Sequence, residues 1–434
     1  MPLPILCTYE RLQQYLLCYR DVFSKPQYKY FVIVLLGFIQ CQGARTLSGL
    51  RHAVAAAGSL AGLSRFLALA PWDAEALAEL WQARFCAQMR PVVQAECSRL
   101  KFEHPKRRGR PRQPAVTGYL IGDDSTIQKE KGRKREGIGK HHSTTQEQPV
   151  RGHSLVQGLY VLLGRRCPTA PRLYRQQAVC VREQVPFQSK IDLMIETIQR
   201  FEPTPGTLTH VLLDSWYSAK AIWKAARSRH FLITTGIKSN RRLRVADATQ
   251  PNGWRWQALN DDAAQLRPED YVQLPWPRGA EPESVSVHVV STRVRKLYCC
   301  QVIIVRRSLS EPLKLARYWA SSDVEASVEC LVAHLSARWD IEVLFADGKE
   351  ELGLDQYQLM SAKALVRFWC LALLTYAFLD EERAQLRASQ HRSVTIGETR
   401  RELQRLHRRQ FLLWLQPSFQ AGSTAESLFK LLSA

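Results

Sequence analysis

Between residues 116 and 235, short apolar runs alternate with amphipathic stretches of helical period. This alternation limits the fold more than any other feature of the chain. Residues 119–123, 154–163, 209–214 and 231–235 read as strands. Residues 191–201 and 219–229 read as helices behind them. Strands alternating with helices imply an α/β domain built on a mixed sheet. Two of the strands end in acids, the first in Asp123-Asp124 and the third in Asp214. Carboxylates at strand ends stand above a rigid sheet, where a ligand can approach. Each has a plainer reading as well, Asp123-Asp124 as a turn and Asp214 as the cap of the next helix.

The flanks differ in character. In residues 1–100, Leu12, Tyr15, Leu16, Tyr19, Val22 and Phe23 fall at helical spacing. Leu60, Leu63, Phe66 and Leu67 do the same, followed by Leu77, Leu80, Trp81 and Phe85. Pro71 separates the last two groups and Asp73 suits an N-cap. A small helical N-terminal domain is expected, either a packing module or a binder of DNA ends. Residues 101–117 form a basic linker in which Pro and Gly deny a helix or strand interior. Its Arg108-Gly-Arg110-Pro-Arg112 segment resembles an AT-hook core, slim enough for a minor groove that attracts arginine. A plain basic linker touching phosphates is the other reading. Residues 238–316 carry Pro/Gly-rich turns and alternating strands, and read as a β-rich insertion in a domain spanning 118–380. An apolar helix at 364–379 closes that domain, and residues 381–434 form a basic helical tail.

The chain has 61 Lys+Arg against 40 Asp+Glu, a formal charge of +21. That excess points to a polyanionic partner, nucleic acid above all. A membrane-surface role would need a basic amphipathic helix, and none stands out. The longest apolar run, residues 30–39, is too short to span a bilayer. The N-terminal residues show no secretion signal. Eleven cysteines occur without a Cys-x-x-Cys pair, so the spacing suggests neither a disulfide framework nor a zinc site. Reduced thiols in a cytoplasmic, nucleoid-associated protein are expected. His141-His142 reads as a solvated pair in a polar loop.

A second acidic element lies downstream. Residues 324–352 have helical character and contain Arg338, Glu342 and Lys349. At 3.6 residues per turn these three share one face of one helix, with Phe345 between the last two. A carboxylate flanked by two cations suits a metal-bound phosphodiester site, and an ordinary ion-paired helix face is the alternative. If folding gathers Asp123, Asp214 and Glu342, the hard, oxygen-rich set fits Mg²⁺ or Mn²⁺, with two ions sharing the carboxylates.

These residues resemble the bacterial insertion-sequence transposases. Asp123-Asp-Ser-Thr-Ile-Gln-Lys129-Glu-Lys-Gly132, followed by Gly152-His153, looks like their first-Asp region. Leu212-Leu-Asp214-Ser-Trp-Tyr217 is similar to their second-Asp strand. Arg338, Glu342 and Lys349 match the Tyr-x2-Arg-x3-Glu-x6-Lys signature of insertion sequence family four and its seven-oh-one-like branch, with Leu335 in place of the Tyr. The resemblance spans roughly residues 20–380. It implies an RNase H-like catalytic core with a β-rich insertion, and an Asp123, Asp214 and Glu342 triad that ligates Mg²⁺ and cuts and joins DNA. Asp123 fits the pattern better than Asp124. Arg338, Lys349 and Lys129 would contact DNA at the element's terminal inverted repeats, and a homodimer would hold the two ends. Trp254 and Trp256, in the insertion, would stack on a flipped base in relatives that form hairpins; packing of a β-hairpin is the plainer role. Two rivals remain: a DNA-binding regulator without catalysis, and a nuclease without strand transfer.

Overall fold

The computed structural model describes residues 9–54, 58–103, 115–132, 134–143, 147–277 and 284–428. Arg108, Arg110 and Arg112 lie outside them. Five helices come first: α1 (Glu10–Leu17), α2 (Lys25–Gln40), α3 (Leu47–His52), α4 (Leu60–Ala68) and α5 (Ala74–Glu103). Asp73 caps α5, its Oδ1 accepting the Glu75 N–H at 2.8 Å. The sheet region follows with β1 (Thr117–Gln128), β2 (Gly139–Ser143), β3 (Gln148–Leu162), β4 (Arg165–Pro168) and β5 (Arg172–Tyr174). Then come α6 (Gln177–Glu183), α7 (Lys190–Arg200), β6 (Leu208–Leu213), α8 (Lys220–Ser228) and β7 (Leu232–Gly236). The chain continues through β8 (Arg242–Ala246), β9 (Trp254–Ala258), α9 (Leu259–Ala263), β10 (Val272–Pro275), β11 (Ser284–Arg293), β12 (Cys299–Arg306) and β13 (Arg317–Ser321). It ends in α10 (Val328–Ala337), α11 (Asp340–Leu352), α12 (Ala362–Gln390) and α13 (Ile396–Gln420).

Eleven strands form one mixed sheet in the order β10-β11-β12-β13-β7-β6-β1-β3-β2, with β4 and β5 also paired to β3. The centre is β3-β1-β6-β7: β3 runs antiparallel to β1, while β6 and β7 run parallel to it. The parallel pairs require crossovers, which α7 and α8 provide. A capping box at Ser189 and Asp192 starts α7. The buried face of α8 carries Ile222 and Trp223, each contributing about 1.5–3 kcal/mol by leaving water.

Four sequence expectations change here. Asp123-Asp124 do not end their strand, because β3 keeps pairing with β1 as far as Gln128↔Gly152. Only the ladder to β6 stops, at Gly122↔Leu213. The expected insertion is β-rich but is not set apart: β10, β11 and β12 continue the main sheet through β13, which pairs with β7. Among the described residues, β8 and β9 form a separate two-stranded ribbon, linked just past the end of β11 by one bridge, Leu243↔Val294. His141-His142 lie in strand β2, with His141 buried and His142 exposed, as strand alternation requires. Finally, the helix expected across 324–352 is broken at Arg338-Trp339 into α10 and α11. The break lets Leu331 and Leu335 pack on β11 and β12 while Ile341 and Leu344 reach the main core.

The N-terminal helices share that main core, which runs from Leu12 to Leu403. Tyr15 donates to the Leu374 carbonyl at 2.9 Å, and buried Arg367 donates to the carbonyls of Leu67 and Trp72. Among the described residues α12 is the one helix long and apolar enough to cross a membrane, and it is largely buried within the protein. Its Asp380 is fully buried and pairs with Arg165 at 2.9 Å and Arg383 at 2.6 Å.

Candidate active site

Side chains alternate across a strand, so β1 serves two faces of the sheet. Asp124 faces α7, where Lys190 Nζ lies 2.5 Å from Oδ2. The Tyr217 hydroxyl donates to Asp124 Oδ1 at 3.1 Å. Asp123 faces the opposite side, toward α10 and α11. One position beyond the last paired residues Gly122 and Leu213, Asp123 stands beside Asp214. Adjacent strands are about 4.8 Å apart, so the two carboxylates share one patch of surface.

Asp214 also caps the short 3₁₀ turn Ser215–Tyr217, its Oδ1 accepting the Trp216 N–H at 3.0 Å. The cap it makes is on this turn and not on the expected helix, since α8 has Ala219 at its N-cap. Gly236, at the end of β7, keeps the turn in place. A Cβ there would stand 2.8 Å from the Ser215 nitrogen and 3.2 Å from the Asp214 carbonyl carbon.

Glu342 reaches this patch from the first turn of α11. Arg338 Nη2 lies 2.5 Å from Glu342 Oε1, and its Nη1 lies 3.5 Å from Asp123 Oδ2. One guanidinium thus bridges the helix carboxylate and the strand carboxylate. Burial first, and Asp214 second, push the Asp123 carboxyl from its ordinary 3.8 up to about 7. Asp214 is raised too, by burial and by Asp124, with the Trp216 N–H and Arg338 opposing. A cation placed between such a pair would relieve the carboxylate repulsion that helps to raise both. All the pair's donors are oxygens, a set that suits Mg²⁺ or Mn²⁺.

Asp214, Arg338 and Glu342 line a cleft of about 810 Å³, whose other walls include Lys314, Arg317, Trp319 and Trp339. Trp339 is half exposed, and Arg338 sits 5.9 Å from the Trp319 ring. Sequence reading missed these four, together with Lys190 and Tyr217. Trp339 and Tyr217 could have been found, since each lies within or beside an acidic motif. The others carry no local signal.

The remaining expected residues fall elsewhere. Lys129 Nζ donates to the carbonyls of Asp355 and Tyr357 and lies 4.2 Å from the Tyr357 ring, tying β1 to the loop after α11. Burial lowers its pKa to about 8. Lys349, in the last turn of α11, is half-buried and does not line the cleft. Burial lowers its pKa, with Asp355 opposing. Trp254 and Trp256 share one face of the β8-β9 ribbon, edge to face at 5.5 Å, with Arg244 4.6 Å from the Trp254 ring. Neither lines the cleft.

The family described as DDE superfamily endonuclease matches residues 18–259. The transposase DDE domain family matches residues 188–378. Among solved structures, the chain matches that of a piggyBac transposase synaptic complex with hairpin DNA at a TM-score of 0.47 and 8% identity, over 95% of this chain and 76% of that one. No curated protein matches the chain.

Proposed function

The chain belongs to the DDE superfamily of endonucleases, and from that premise we propose that it is a transposase that cuts and joins DNA at an Asp123, Asp214 and Glu342 triad. The observation that carries this reading is the placement of Asp123 beside Asp214 on parallel strands, with Glu342 held across from them by Arg338. The strand order β4-β3-β1-β6-β7, with the first three antiparallel and the last two parallel to β1, supports an RNase H-like core. Asp123 is the first ligand in this reading because Asp124 is already neutralised by Lys190 on the other face.

Divalent magnesium or manganese, two ions in this reading, would supply Lewis acidity for in-line displacement at phosphorus. The residues of the chain do the rest. Asp123 and Asp214 hold their carboxylates on a rigid sheet. Glu342 completes the set from a helix and is half exposed, open to the cleft. Arg338, Lys314 and Arg317 present cations to phosphate oxygens, and Trp319 and Trp339 offer flat apolar surface to sugar or base. Water attack on the terminal phosphodiester would free a 3′-hydroxyl, and that hydroxyl would attack target DNA in a second displacement.

The finer reading is that of insertion sequence family four, with Arg338, Glu342 and Lys349 as its signature. In it, residues 1–100 bind the terminal repeats, 101–117 link them to the catalytic domain, and a homodimer holds the two ends. The test is Mg²⁺-dependent cleavage of a supercoiled plasmid carrying the element ends. Wild type should cut at the ends and Glu342→Gln should not. Equal cleavage by both would remove Glu342 from the triad. DNA binding without cleavage by either would point to a regulator. Cleavage without joining of a preprocessed 3′-hydroxyl end would point to a nuclease.

A further inference from the structure

A second cluster of ligand-type side chains lies on the same sheet face as the triad, four residues back along the strands. His210 precedes Asp214 on β6 and pairs with Tyr119 on β1 as Asp214 neighbours Asp123. At about 3.3 Å per residue the two clusters are about 13 Å apart. Above His210, α10 brings His334, and the ring centroids lie 4.2 Å apart. Asp323, in the turn between β13 and α10, brings a carboxylate. The ligand atoms of His210, Asp323 and His334 lie within 4.8 Å of one another.

The hydrogen bonds fix which nitrogen of His210 is available. Thr234 Oγ1 spends its proton on Ser321 Oγ at 2.9 Å. It therefore accepts from His210 Nε2 at 2.8 Å, which makes Nε2 the protonated nitrogen. Nδ1 is left with a bare lone pair, buried and without a hydrogen-bond partner among the described residues. A buried acceptor left unpaired is costly and calls for an explanation. The His334 ring has the Tyr119 hydroxyl 3.1 Å from Nδ1 and Cys330 Sγ 3.3 Å from Nε2. Ring nitrogens anchored by a hydroxyl are how imidazole ligands are oriented toward a metal. Burial also keeps both imidazoles neutral at pH 7, the form that ligates.

We propose that His210, His334 and Asp323 bind a zinc ion that fastens α10 to β6. Two imidazoles and a carboxylate beside a thiol form a softer set than the three carboxylates of the cleft, and this set selects zinc over magnesium. Zinc bonds of about 2.0–2.2 Å require the ligand atoms to close in from the 4.8 Å within which they stand. The consequence is positional. Arg338 caps the C-terminal end of α10, one turn beyond His334, so pinning His334 to the sheet fixes the helix end from which Arg338 reaches Asp123 and Glu342. That consequence rests on the triad reading, whereas the metal binding does not.

The test uses the full-length protein, stripped with a chelator and titrated with Zn²⁺ against a competing indicator. Wild type should bind about one equivalent tightly. Asp323→Asn and His334→Gln should weaken binding by more than about tenfold, and Asp214→Asn should leave it unchanged. Zinc should raise the melting temperature of wild type but not of Asp323→Asn. Asp323 is half-buried in a turn, so its variant carries the test should His334→Gln fail to fold. Equal binding by Asp323→Asn, or loss in Asp214→Asn, would overturn the proposal. Plasmid cleavage by the stripped protein in Mg²⁺, as fast as by the zinc-loaded one, would remove the positional role alone. Zinc binding as described in a protein that cuts no DNA would instead overturn the triad reading and leave this site standing.

Discussion

Asp123 combines two opposed demands. Its carboxyl is raised to about 7 in the metal-free protein, chiefly by burial and then by Asp214. The folded state therefore holds a proton that the unfolded chain releases near 3.8. Stability contributed by that proton is present at low pH and is lost as pH rises from about 4 through about 7. Asp123→Asn should remove this loss, making the metal-free protein more stable at pH 8 by on the order of 2–4 kcal/mol. The same variant should lose DNA cleavage and any rise of melting temperature with Mg²⁺. Denaturant titrations at pH 5 and pH 8, with and without Mg²⁺, check both. Gly236→Ala is the backbone counterpart: its Cβ would press on the Asp214-Ser215 turn. It should cost about 1–3 kcal/mol of stability and shift Asp214, lowering cleavage while leaving DNA affinity intact. At this scale the sequence was informative about identity, since Asp123, Asp214 and Glu342 could each be singled out from pattern. It was silent on partners. Nothing local to Asp124 announces Lys190, and nothing local to Lys129 announces the carbonyls of Asp355 and Tyr357.

Among the elements, the strands were legible where their apolar runs were bounded by turns, as in β6 and β7. The register was not. A strand continues as long as a neighbour pairs with it, so the length of β1 is decided by β3 and cannot be read from β1 itself. The break between α10 and α11 escaped for a related reason. His334, Arg338 and Glu342 keep helical spacing across Arg338-Trp339, so periodicity reads one helix through the turn. The same long-range logic governs α12, whose apolar centre was visible while its charged end was taken for the start of a tail. Asp380 there is fully buried and satisfies Arg165 and Arg383. Asp380→Ala would leave these guanidinium groups without their buried partner. It should cost about 3–5 kcal/mol, measured by urea unfolding. Asp380→Asn, which keeps the hydrogen-bond acceptor, should cost less.

For the whole molecule, charge is the dominant property. A chain of +21 binds polyphosphate by releasing counterions, and its affinity falls steeply with salt. Duplex affinity should drop on the order of a thousandfold between about 50 and about 200 mM salt, whatever the sequence. Replacing Lys314 and Arg317 with Ala should flatten the slope of log affinity against log salt by about two. An unchanged slope would take the cleft off the DNA path. Composition made the polyanionic partner legible from the start. It did not reveal that the N-terminal helices share a core with α12, because that depends on contacts such as Tyr15 to Leu374. The cysteine spacing likewise gave no hint of a metal ligand set drawn from β6, α10 and the turn before it.

The guanidinium of Arg338 lies between Asp123 and Glu342, and on the proposed triad reading it occupies the place of the ion that those carboxylates would hold. Metal and arginine would compete for the same oxygens, so metal affinity in the free protein would be held below what the acids alone would give. A DNA phosphate in the cleft would offer Arg338 another partner and free the carboxylates. By linkage, DNA then tightens metal binding and metal tightens DNA binding by the same factor. On that reading the protein without DNA would be kept poorly loaded, a safety catch against cutting before DNA is in place.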